Sequence, residues 1–252
     1  MDELGFHRTL HRPGTLLDVG AHDGAFTLPF AQLPHSRVLA FEPLPSAFAR
    51  PRAAFGDAPP PHVTLRPEAL GDHNGEIALT LPVLDGVPQE QWASTAKSYA
   101  ALGEARVTEL RHTVPLRRLD EFGLTDLTAV KLDAEGAEYE VLRGARETLL
   151  RCRPILSIEI EERHRPGSTY AVPAYLDALG YDGFWEFWGD WRPLSTFDRA
   201  TMQRASPNPA VFEASDPYVF VFYFLPREHA AAMLARLWEA EKRAALPAEQ
   251  PT

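Results

Sequence analysis

Acidic residues stand at or near the ends of several predicted strands in this chain. Asp18 lies within a short apolar run, Glu42 ends the next such run, and Asp133 and Glu159 lie at the ends of two later ones. In a parallel sheet the carboxyl ends of the strands meet at one crevice, and ligands bind there. We therefore expect these carboxylates to converge on one cleft, where they can accept hydrogen bonds or take up a proton.

The stretch TLLDVGAHDG, residues 15–24, is typical of a buried strand that opens into a tight turn. A dinucleotide-binding turn requires G-x-G-x-x-G, but here Ala21, His22 and Asp23 separate Gly20 from Gly24. Asp23 would also place a negative charge where a pyrophosphate must lie. The turn therefore favours a positively charged ligand, such as the sulfonium of S-adenosylmethionine, over NAD.

Two of the acids have alternative interpretations. Glu42 is interpreted as the acceptor for the two hydroxyls of a ribose, as in other nucleotide-binding βα units. Alternatively, it only interacts with the dipole of the helix expected after Pro45. Asp18 either holds the glycine turn through hydrogen bonds or contacts a cationic group of the ligand. Both choices stay open at this point.

Strands and helices alternate along the chain, which predicts an α/β fold with a mostly parallel sheet and helices on both faces. We expect one domain over residues 1–252, interrupted by an inserted β-hairpin region at about residues 76–117. The first helix is expected over residues 25–33, with Pro29 kinking or shortening it, and another over residues 138–150. A final helix is expected at about residues 228–246, and it either docks on its own chain or forms a homodimer face.

Composition limits the classes of partner and compartment. The formal net charge of −10 disfavours a nucleic-acid interface, because phosphate binding calls for a basic face. The single cysteine, Cys152, excludes an internal disulfide and a cysteine-based zinc site. We see neither a signal peptide nor an apolar run long enough to span a membrane, so a cytoplasmic protein is expected.

Five motifs follow one another over about residues 15–161: DVGAHDG, VLAFEP, EALGD, VKLDAEGAEYEVLRGA and PILSIEIE. In this order they resemble the FkbM family of S-adenosylmethionine-dependent methyltransferases, and residues 131–138 are the most diagnostic part. The family pattern usually has Asn where this chain has His22. The resemblance implies a Rossmann-like class I methyltransferase fold with a seven-stranded sheet. It also implies O-methylation of hydroxyls on sugars, glycolipids or polyketide-type natural products such as macrolides.

The resemblance also assigns roles to residues. The glycine turn would hold the methionine part of the cofactor, Glu42 the ribose with Pro43 shaping its turn, and Ala69 and Leu70 the adenine. Asp133 and Glu135 would face the methyl group and the acceptor, a small hydroxylated molecule. The residues assigned to the glycine turn are Asp18, Gly20, Ala21, His22, Asp23 and Gly24.

A hydroxyl acceptor must lose its proton as it attacks the methyl group, so a base is expected. Asp133 is the first candidate, and Glu159 and His164 come next. Lys131 alternates with Asp133 and so points to the same side of the strand. It either holds a substrate oxygen or pairs with Asp133.

Further candidates come from side-chain chemistry alone. A Mg²⁺ site is conceivable, although no spacing requires a metal; its candidate ligands are Asp133, Glu135, Glu159, Glu161 and His164. Trp185 and Trp188 are candidates for a substrate-binding wall, with core packing as the alternative. An irregular segment containing Ser94, Thr95, Lys97, Ser98 and Tyr99 is either a lid or a plain surface loop. For the whole chain, the rival functions are an NAD-linked oxidoreductase and a non-catalytic binding protein on the same fold.

Overall fold

Twelve strands and eight α-helices are found in the part of the chain that the computed structural model describes, residues 1–56, 58–97, 107–203 and 218–245. The strands are β1 (Gly14–Val19), β2 (Ser36–Phe41), β3 (Val63–Arg66), β4 (Ala69–Leu70), β5 (Gly75–Leu84), β6 (Val87–Pro88), β7 (Val107–Arg117), β8 (Leu127–Leu132), β9 (Ile155–Glu159), β10 (Tyr181–Phe187), β11 (Asp190–Pro193) and β12 (Val221–Pro226). The helices are α1 (Glu3–Leu10), α2 (Thr27–Ala31), α3 (Pro45–Ala54), α4 (Glu138–Gly144), α5 (Arg146–Cys152), α6 (Ser168–Ala178), α7 (Arg199–Met202) and α8 (Ala230–Ala245).

The main sheet has the strand order β11-β10-β12-β9-β8-β1-β2-β3. Neighbours from β9 to β3 pair in parallel, and β12, β10 and β11 add antiparallel pairs at the other edge. The chain runs outward from β1 to β3 and then crosses back to β8. The gap between β1 and β8 is thus the topological switch point, where sheets of this class bind ligands. The predicted Rossmann-like α/β class is confirmed.

The sheet has eight strands and not seven, because β11 pairs with β10 in a tight hairpin. Trp188 and Gly189 form the turn with φ angles of 56° and 81°, and Phe187 pairs with Asp190 across it. Two consecutive residues with positive φ are typical of a type I′ turn, for which Asn-Gly is the usual sequence. Trp-Gly carries no such signal, so the sequence pattern misses this strand.

Apolar side chains cover both faces of the main sheet. On one face, Leu17 and Leu132 pack with Val141 of α4 and Leu176 of α6. The opposite face packs against α1, α2 and α8 through residues Phe6, Phe30, Met233 and Leu237. Leu237 is fully buried, so α8 docks on its own chain. Among the described helices, none combines the length and apolarity needed to cross a membrane.

The helix expected over residues 25–33 is shorter than expected, because α2 runs only from Thr27 to Ala31. Pro29 lacks an N–H group and therefore fits most readily in the first turn of a helix. Starting the helix at Thr27 places Pro29 in that turn. Residues 21–26, before the helix, instead form two turns at the mouth of the switch point.

The helix expected over residues 138–150 is two helices, α4 and α5, which meet at Ala145. Gly144, the last residue of α4, lies against the backbone of Gly71. A Cβ atom at position 144 would lie 1.9 Å from the Gly71 carbonyl oxygen. Close contact with the segment after β4 therefore fixes the point at which the helix changes course.

A second, smaller sheet has the order β4-β7-β5-β6. Strands β5 and β7 pair antiparallel from Gly75↔Leu116 to Leu84↔Val107, which includes the pairing expected from the sequence. The segment after β6 is joined to this sheet, since Thr80 and Ser94 exchange backbone hydrogen bonds of 2.8 and 3.0 Å. The second sheet thereby carries residues 90–97 across the carboxyl edge of the main sheet.

Helix α1 places the side chain of His7 against β9 of the main sheet. The Asp2 carboxylate caps the helix by accepting from the Gly5 N–H at 2.7 Å. His7 is fully buried, and its Nε2 lies 2.8 Å from the Ser157 hydroxyl, which donates to Glu3 at 2.5 Å. Burial, aided by the charge of Lys131, lowers the pKa of His7 to about 3.

Acid is expected to destabilise the fold through His7. The unfolded chain takes up a proton at this residue near pH 6.5, but the folded protein does so only near its pKa of about 3. Stability from this source is complete above pH 6.5 and is lost as the pH falls towards 3. At 1.36 kcal/mol per pH unit, about 2 kcal/mol is lost between pH 6.5 and 5. Urea unfolding of the wild type and His7→Phe at both pH values measures this; an equal pH dependence in both would contradict it.

Candidate active site

A cavity of about 460 Å³ opens at the carboxyl edge of the main sheet, over the switch point. Its volume lies within the usual range for small-molecule sites. Acids outnumber bases in its wall, where the basic side chains are His22, Lys131 and Arg163. The acidic lining residues are Glu3, Asp18, Asp23, Glu42, Glu68, Glu90, Asp133, Glu135 and Glu159. A cavity of this charge suits a cationic donor and a neutral or cationic acceptor.

The glycine turn after β1 is held tightly against β2 and β8. The N–H groups of Gly20 and Ala21 both donate to the Phe41 carbonyl at 3.0 Å. Gly20 has a φ of 77°, and a Cβ atom there would lie 2.0 Å from the carbonyl oxygen of Asp133. Only glycine combines this positive φ with so close an approach. Gly20 therefore allows the loops after β1 and β8 to pack directly against each other.

Asp18 lies under this turn and is fully buried. Its Oδ2 accepts a 2.6 Å hydrogen bond from Thr27, while Oδ1 has no hydrogen-bond partner among the described residues. Burial raises the pKa of Asp18, and the nearby charge of Lys131 opposes the rise. An unpaired buried acceptor is costly unless a ligand satisfies it. The observed geometry supports both predicted roles, loop support through Oδ2 and a free acceptor in Oδ1.

Glu42 ends the second strand with both oxygens fixed by backbone donors. Oε1 accepts from the Leu44 N–H and Oε2 from the His22 N–H, each at 2.8 Å. The side chain is mostly buried, and burial raises its pKa despite these two bonds. A carboxylate fixed in this way keeps lone pairs for further donors, as binding of two adjacent hydroxyls requires.

His22 has a positive φ of 44°, which asparagine adopts more readily. Its Nε2 lies 3.1 Å from Nη1 of Arg50, and Arg50 forms an ion pair with Glu90 of the segment after β6. The departure from the usual family pattern therefore has a structural counterpart. Through Arg50, the imidazole links the glycine turn to the second sheet.

The motif at residues 131–138 builds the opposite wall. The buried Glu138 carboxylate accepts from the N–H groups of Ala134 and Gly136 at 3.0 and 2.9 Å. This bond pair shapes the loop after β8, in which Glu135 has a φ of 52°. Burial raises the pKa of Glu138 to about 7. The motif spacing therefore reflects a carboxylate that holds the loop carrying Asp133 and Glu135.

Lys131 ties this loop to the glycine turn. Its Nζ donates to the Gly20 carbonyl at 3.2 Å and to Asp133 Oδ2 at 3.4 Å. Burial alone would lower the pKa of Lys131, but the surrounding carboxylates, Asp133 and Asp18 foremost, raise it above its usual value. The ammonium therefore stays charged, and the predicted ion pair with Asp133 is observed.

The remaining acids at this end differ in their surroundings. Burial and the charges of Asp133, Glu135 and Glu161 raise the pKa of Glu159, which favours its protonated form. Burial also raises the pKa of Glu135 to about 7, although Lys97 forms an ion pair with it. Asp133 Oδ1 is buried and without a hydrogen-bond partner among the described residues. Asp133 is therefore better placed than Glu159 to accept a proton.

His164 lies behind these acids and is not part of the cavity wall. Its Nε2 is 3.1 Å from Glu161 Oε1 and 3.5 Å from Glu135 Oε2. Burial and the charge of Lys97 lower the pKa of His164 to about 4, so the imidazole is neutral. It can reach the reacting atoms only through another group.

A family model described as the methyltransferase FkbM domain matches residues 18–182, which is more than half of the chain. The chain belongs to the FkbM family of S-adenosylmethionine-dependent methyltransferases. It is 32% identical over 173 residues to 2-O-methyltransferase NoeI of Sinorhizobium fredii, covering 65% of this chain and 70% of NoeI. It is 27% identical over 192 residues to methyltransferase sdnD of Sordaria araneosa, covering 66% and 73% respectively.

The fold is similar to a crystal structure of methyltransferase FkbM from Methylobacillus flagellatus, with a TM-score of 0.52 and 14% identity. That comparison covers 88% of this chain and 50% of the other, so the chain spans half the length of this structural neighbour. An FkbM assignment agrees with the motif order that the sequence displays.

Most residues expected to bind the cofactor lie together in the cavity wall of this FkbM-family protein. They are Asp18, Gly20, Ala21, His22, Asp23, Glu42, Pro43, Ala69, Leu70 and Asp133. Gly24 is not in the wall, and its role is to turn the loop with a φ of 89°.

The two tryptophans expected to contact substrate do not line the cavity. Trp185 is 1% exposed and donates to the Pro193 carbonyl, so core packing, its alternative interpretation, describes it. Trp188 is 89% exposed at the β10–β11 turn. Of the segment expected to be a lid or a surface loop, Thr95 lines the cavity and Ser94 donates to the Glu135 carbonyl at 2.6 Å. The predicted lid residues Ser98 and Tyr99 fall outside the described residues.

Several lining residues were not anticipated from the sequence. Glu3 comes from α1, and Trp92 and Ala93 come from the segment carried by the second sheet. A capping Asp2 followed by Phe6 and Leu10 at helical spacing is the signal that would have predicted α1. No local signal marks Trp92, because a pairing distant along the chain sets its position.

Proposed function

We propose that this protein transfers the methyl group of S-adenosylmethionine to a hydroxyl of a small neutral acceptor, such as a sugar, glycolipid or polyketide-type natural product. The observation that carries the proposal is that Asp18, Glu42 and Asp133 all line the same cavity. Asp18 offers an unpaired buried acceptor to the cationic end of the cofactor. Glu42 would bind the ribose, and Ala69 and Leu70 would lie against the adenine.

O-methylation is favoured by the chemistry at the Asp133 end. The acceptor oxygen attacks the methyl carbon in line with the departing sulfur, so alignment and exclusion of water supply much of the rate. The hydroxyl proton passes to Asp133, the carbon–sulfur bond breaks, and S-adenosylhomocysteine leaves as a neutral thioether. The similarity to NoeI, which is named a 2-O-methyltransferase, supports the same type of acceptor atom.

Calorimetry of the purified protein separates this proposal from its rivals. S-adenosylhomocysteine is expected to bind with one site per chain, while NAD does not bind measurably. Transfer of labelled methyl groups to a panel of neutral glycosides, paired with their phosphorylated counterparts, then tests the acceptor. We expect labelling of neutral members only, because acids dominate the cavity wall. Tighter binding of NAD, or transfer restricted to phosphorylated acceptors, would overturn the proposal.

Replacing Glu42 by alanine is expected to weaken binding of S-adenosylhomocysteine by about 1–3 kcal/mol, since hydrogen bonds to a buried carboxylate are lost. Glu42 also holds the backbone at His22 and Leu44, so a weaker affinity alone does not identify the ribose. The 2′-deoxy analogue of the ligand supplies the control. Wild-type protein should prefer the ribose form, and Glu42→Ala should bind both forms equally. A preference retained in the variant would exclude ribose binding by Glu42.

A further inference from the structure

Behind the acceptor end of the cavity, three side chains from separate loops converge. Glu135 follows β8, Glu159 ends β9, and His164 lies in the turn after β9. Each offers one ligand atom, and these atoms all lie within 4.8 Å of one another. Around an ion with bonds of 2.0–2.2 Å in tetrahedral geometry, neighbouring ligand atoms lie about 3.3–3.6 Å apart. The widest pair of this cluster must therefore close by at most about 1.5 Å to hold one ion, which side-chain rotation can supply.

The charges around this cluster leave one carboxyl group without a cation. Lys131 pairs with Asp133, Lys97 with Glu135, and Arg163 with Glu161. Within the described residues, Glu159 forms no ion pair, although Lys131 is close enough to interact with it and three carboxylates surround it. These carboxylates would attract a cation at Glu159, and the cavity gives it access because Glu135 and Glu159 both line the wall.

We propose that Glu135, Glu159 and His164 bind one divalent transition-metal ion at the acceptor end of the cavity. Two carboxylates with one imidazole suit Mn²⁺ or Zn²⁺ better than Mg²⁺, which prefers oxygen ligands alone. His164 approaches from behind the wall and the two carboxylates from within it. The open coordination positions of the ion then face the cavity.

The role of this ion rests on the proposed function, whereas its binding does not. An acceptor hydroxyl at an open position would lose its proton more readily, as metal-bound water does. The proton passes to Asp133, the oxygen forms its bond to the methyl carbon, and the carbon–sulfur electron pair returns to sulfur. No oxidant, reductant or further reactant is needed.

The ammonium group of Lys97 would compete with a bound ion for the Glu135 carboxylate. This group pairs with Glu135 and belongs to the segment that covers the cavity. An ion bound at Glu135 must share or displace this contact. Removing the lysine charge should therefore strengthen ion binding, which a purely structural cluster would not predict.

The test is calorimetric titration of the chelator-treated full chain with MnCl₂ and, separately, ZnCl₂, with paramagnetic resonance to count bound Mn²⁺. We expect one ion per chain. Glu159→Gln and His164→Gln should weaken binding at least about 100-fold, since losing even an outer-sphere partner costs 10- to 100-fold. Lys97→Met should tighten it. Glu68→Gln is the matched control, because the same change at the other end of the cavity should leave ion affinity unaltered.

Absence of a saturable site, or binding that survives both ligand substitutions, overturns the inference. Titrating S-adenosylhomocysteine into the same samples keeps the two proposals apart. Binding of S-adenosylhomocysteine without binding of either ion removes the metal site and leaves the proposed function intact. Binding of one ion without S-adenosylhomocysteine removes the proposed function and leaves the metal site.

Discussion

Replacing Asp133 by asparagine is expected to slow methyl transfer by roughly 100- to 10,000-fold, the usual contribution of a positioned base. Binding of S-adenosylhomocysteine should stay nearly unchanged, because asparagine has the same shape. Asp133 lines the cavity beside the charged Lys131 and keeps an unpaired oxygen. Glu159 is less suited to replace it, since burial and the neighbouring carboxylates raise its pKa and favour its protonated form.

Labelled methyl transfer to the best acceptor of the panel measures this loss, and calorimetry measures the affinity. Asp190→Asn serves as the control, because Asp190 is exposed in the β10–β11 hairpin and away from the cavity. Full turnover in Asp133→Asn would exclude it as the base.

Replacing Gly20 by alanine is expected to abolish measurable cofactor binding and to destabilise the fold by about 2–4 kcal/mol, as large core clashes do. The new Cβ would lie 2.0 Å from the Asp133 carbonyl oxygen, so the loops after β1 and β8 must separate. That separation would also break the Lys131 contact with the Gly20 carbonyl. The glycine turn proposed to hold the cofactor and the proposed base, Asp133, would both be displaced.

Gly56 offers a matched control for the backbone conformation. Its φ of 80° is close to the 77° of Gly20, yet a Cβ atom there meets no described atom within 4 Å. Gly56→Ala should therefore cost only the left-handed penalty of about 1–2 kcal/mol and leave ligand affinity intact. Urea unfolding and calorimetry on both variants separate strain from collision. Equal losses in the two would show that close approach at Gly20 is unimportant.

The sequence predicts those parts of the site that lie on consecutive strands. Asp18, Glu42 and Asp133 meet because parallel strands bring their carboxyl ends to one edge, and alternation along β8 places Lys131 beside Asp133. The spacing of Gly20 and Gly24 disfavours a pyrophosphate-binding turn on physical grounds. These inferences need only local pattern and strand direction.

Other parts depend on contacts between distant segments, which local pattern does not contain. Glu3 reaches the cavity only because α1 packs under the sheet, and Trp92 only because Thr80 pairs with Ser94. The exposed position of Trp188 follows from a turn type that its sequence does not favour. His164 stands behind Glu135 because the turn after β9 folds back towards the loop after β8.

The second sheet has a practical consequence for redesign. Apart from Ala69 and Leu70, the groups proposed to hold the donor and the base lie on loops of the main sheet, whereas Leu79 and residues 90–93 reach the cavity from an inserted layer. Chimeras that exchange residues 75–97 between relatives would replace this layer and keep the glycine turn, Glu42, Ala69, Leu70 and Asp133. The Arg50–Glu90 contact marks the junction that such grafts must match. The part of the cavity wall that the second sheet contributes can thus be varied while the proposed donor-binding groups stay in place.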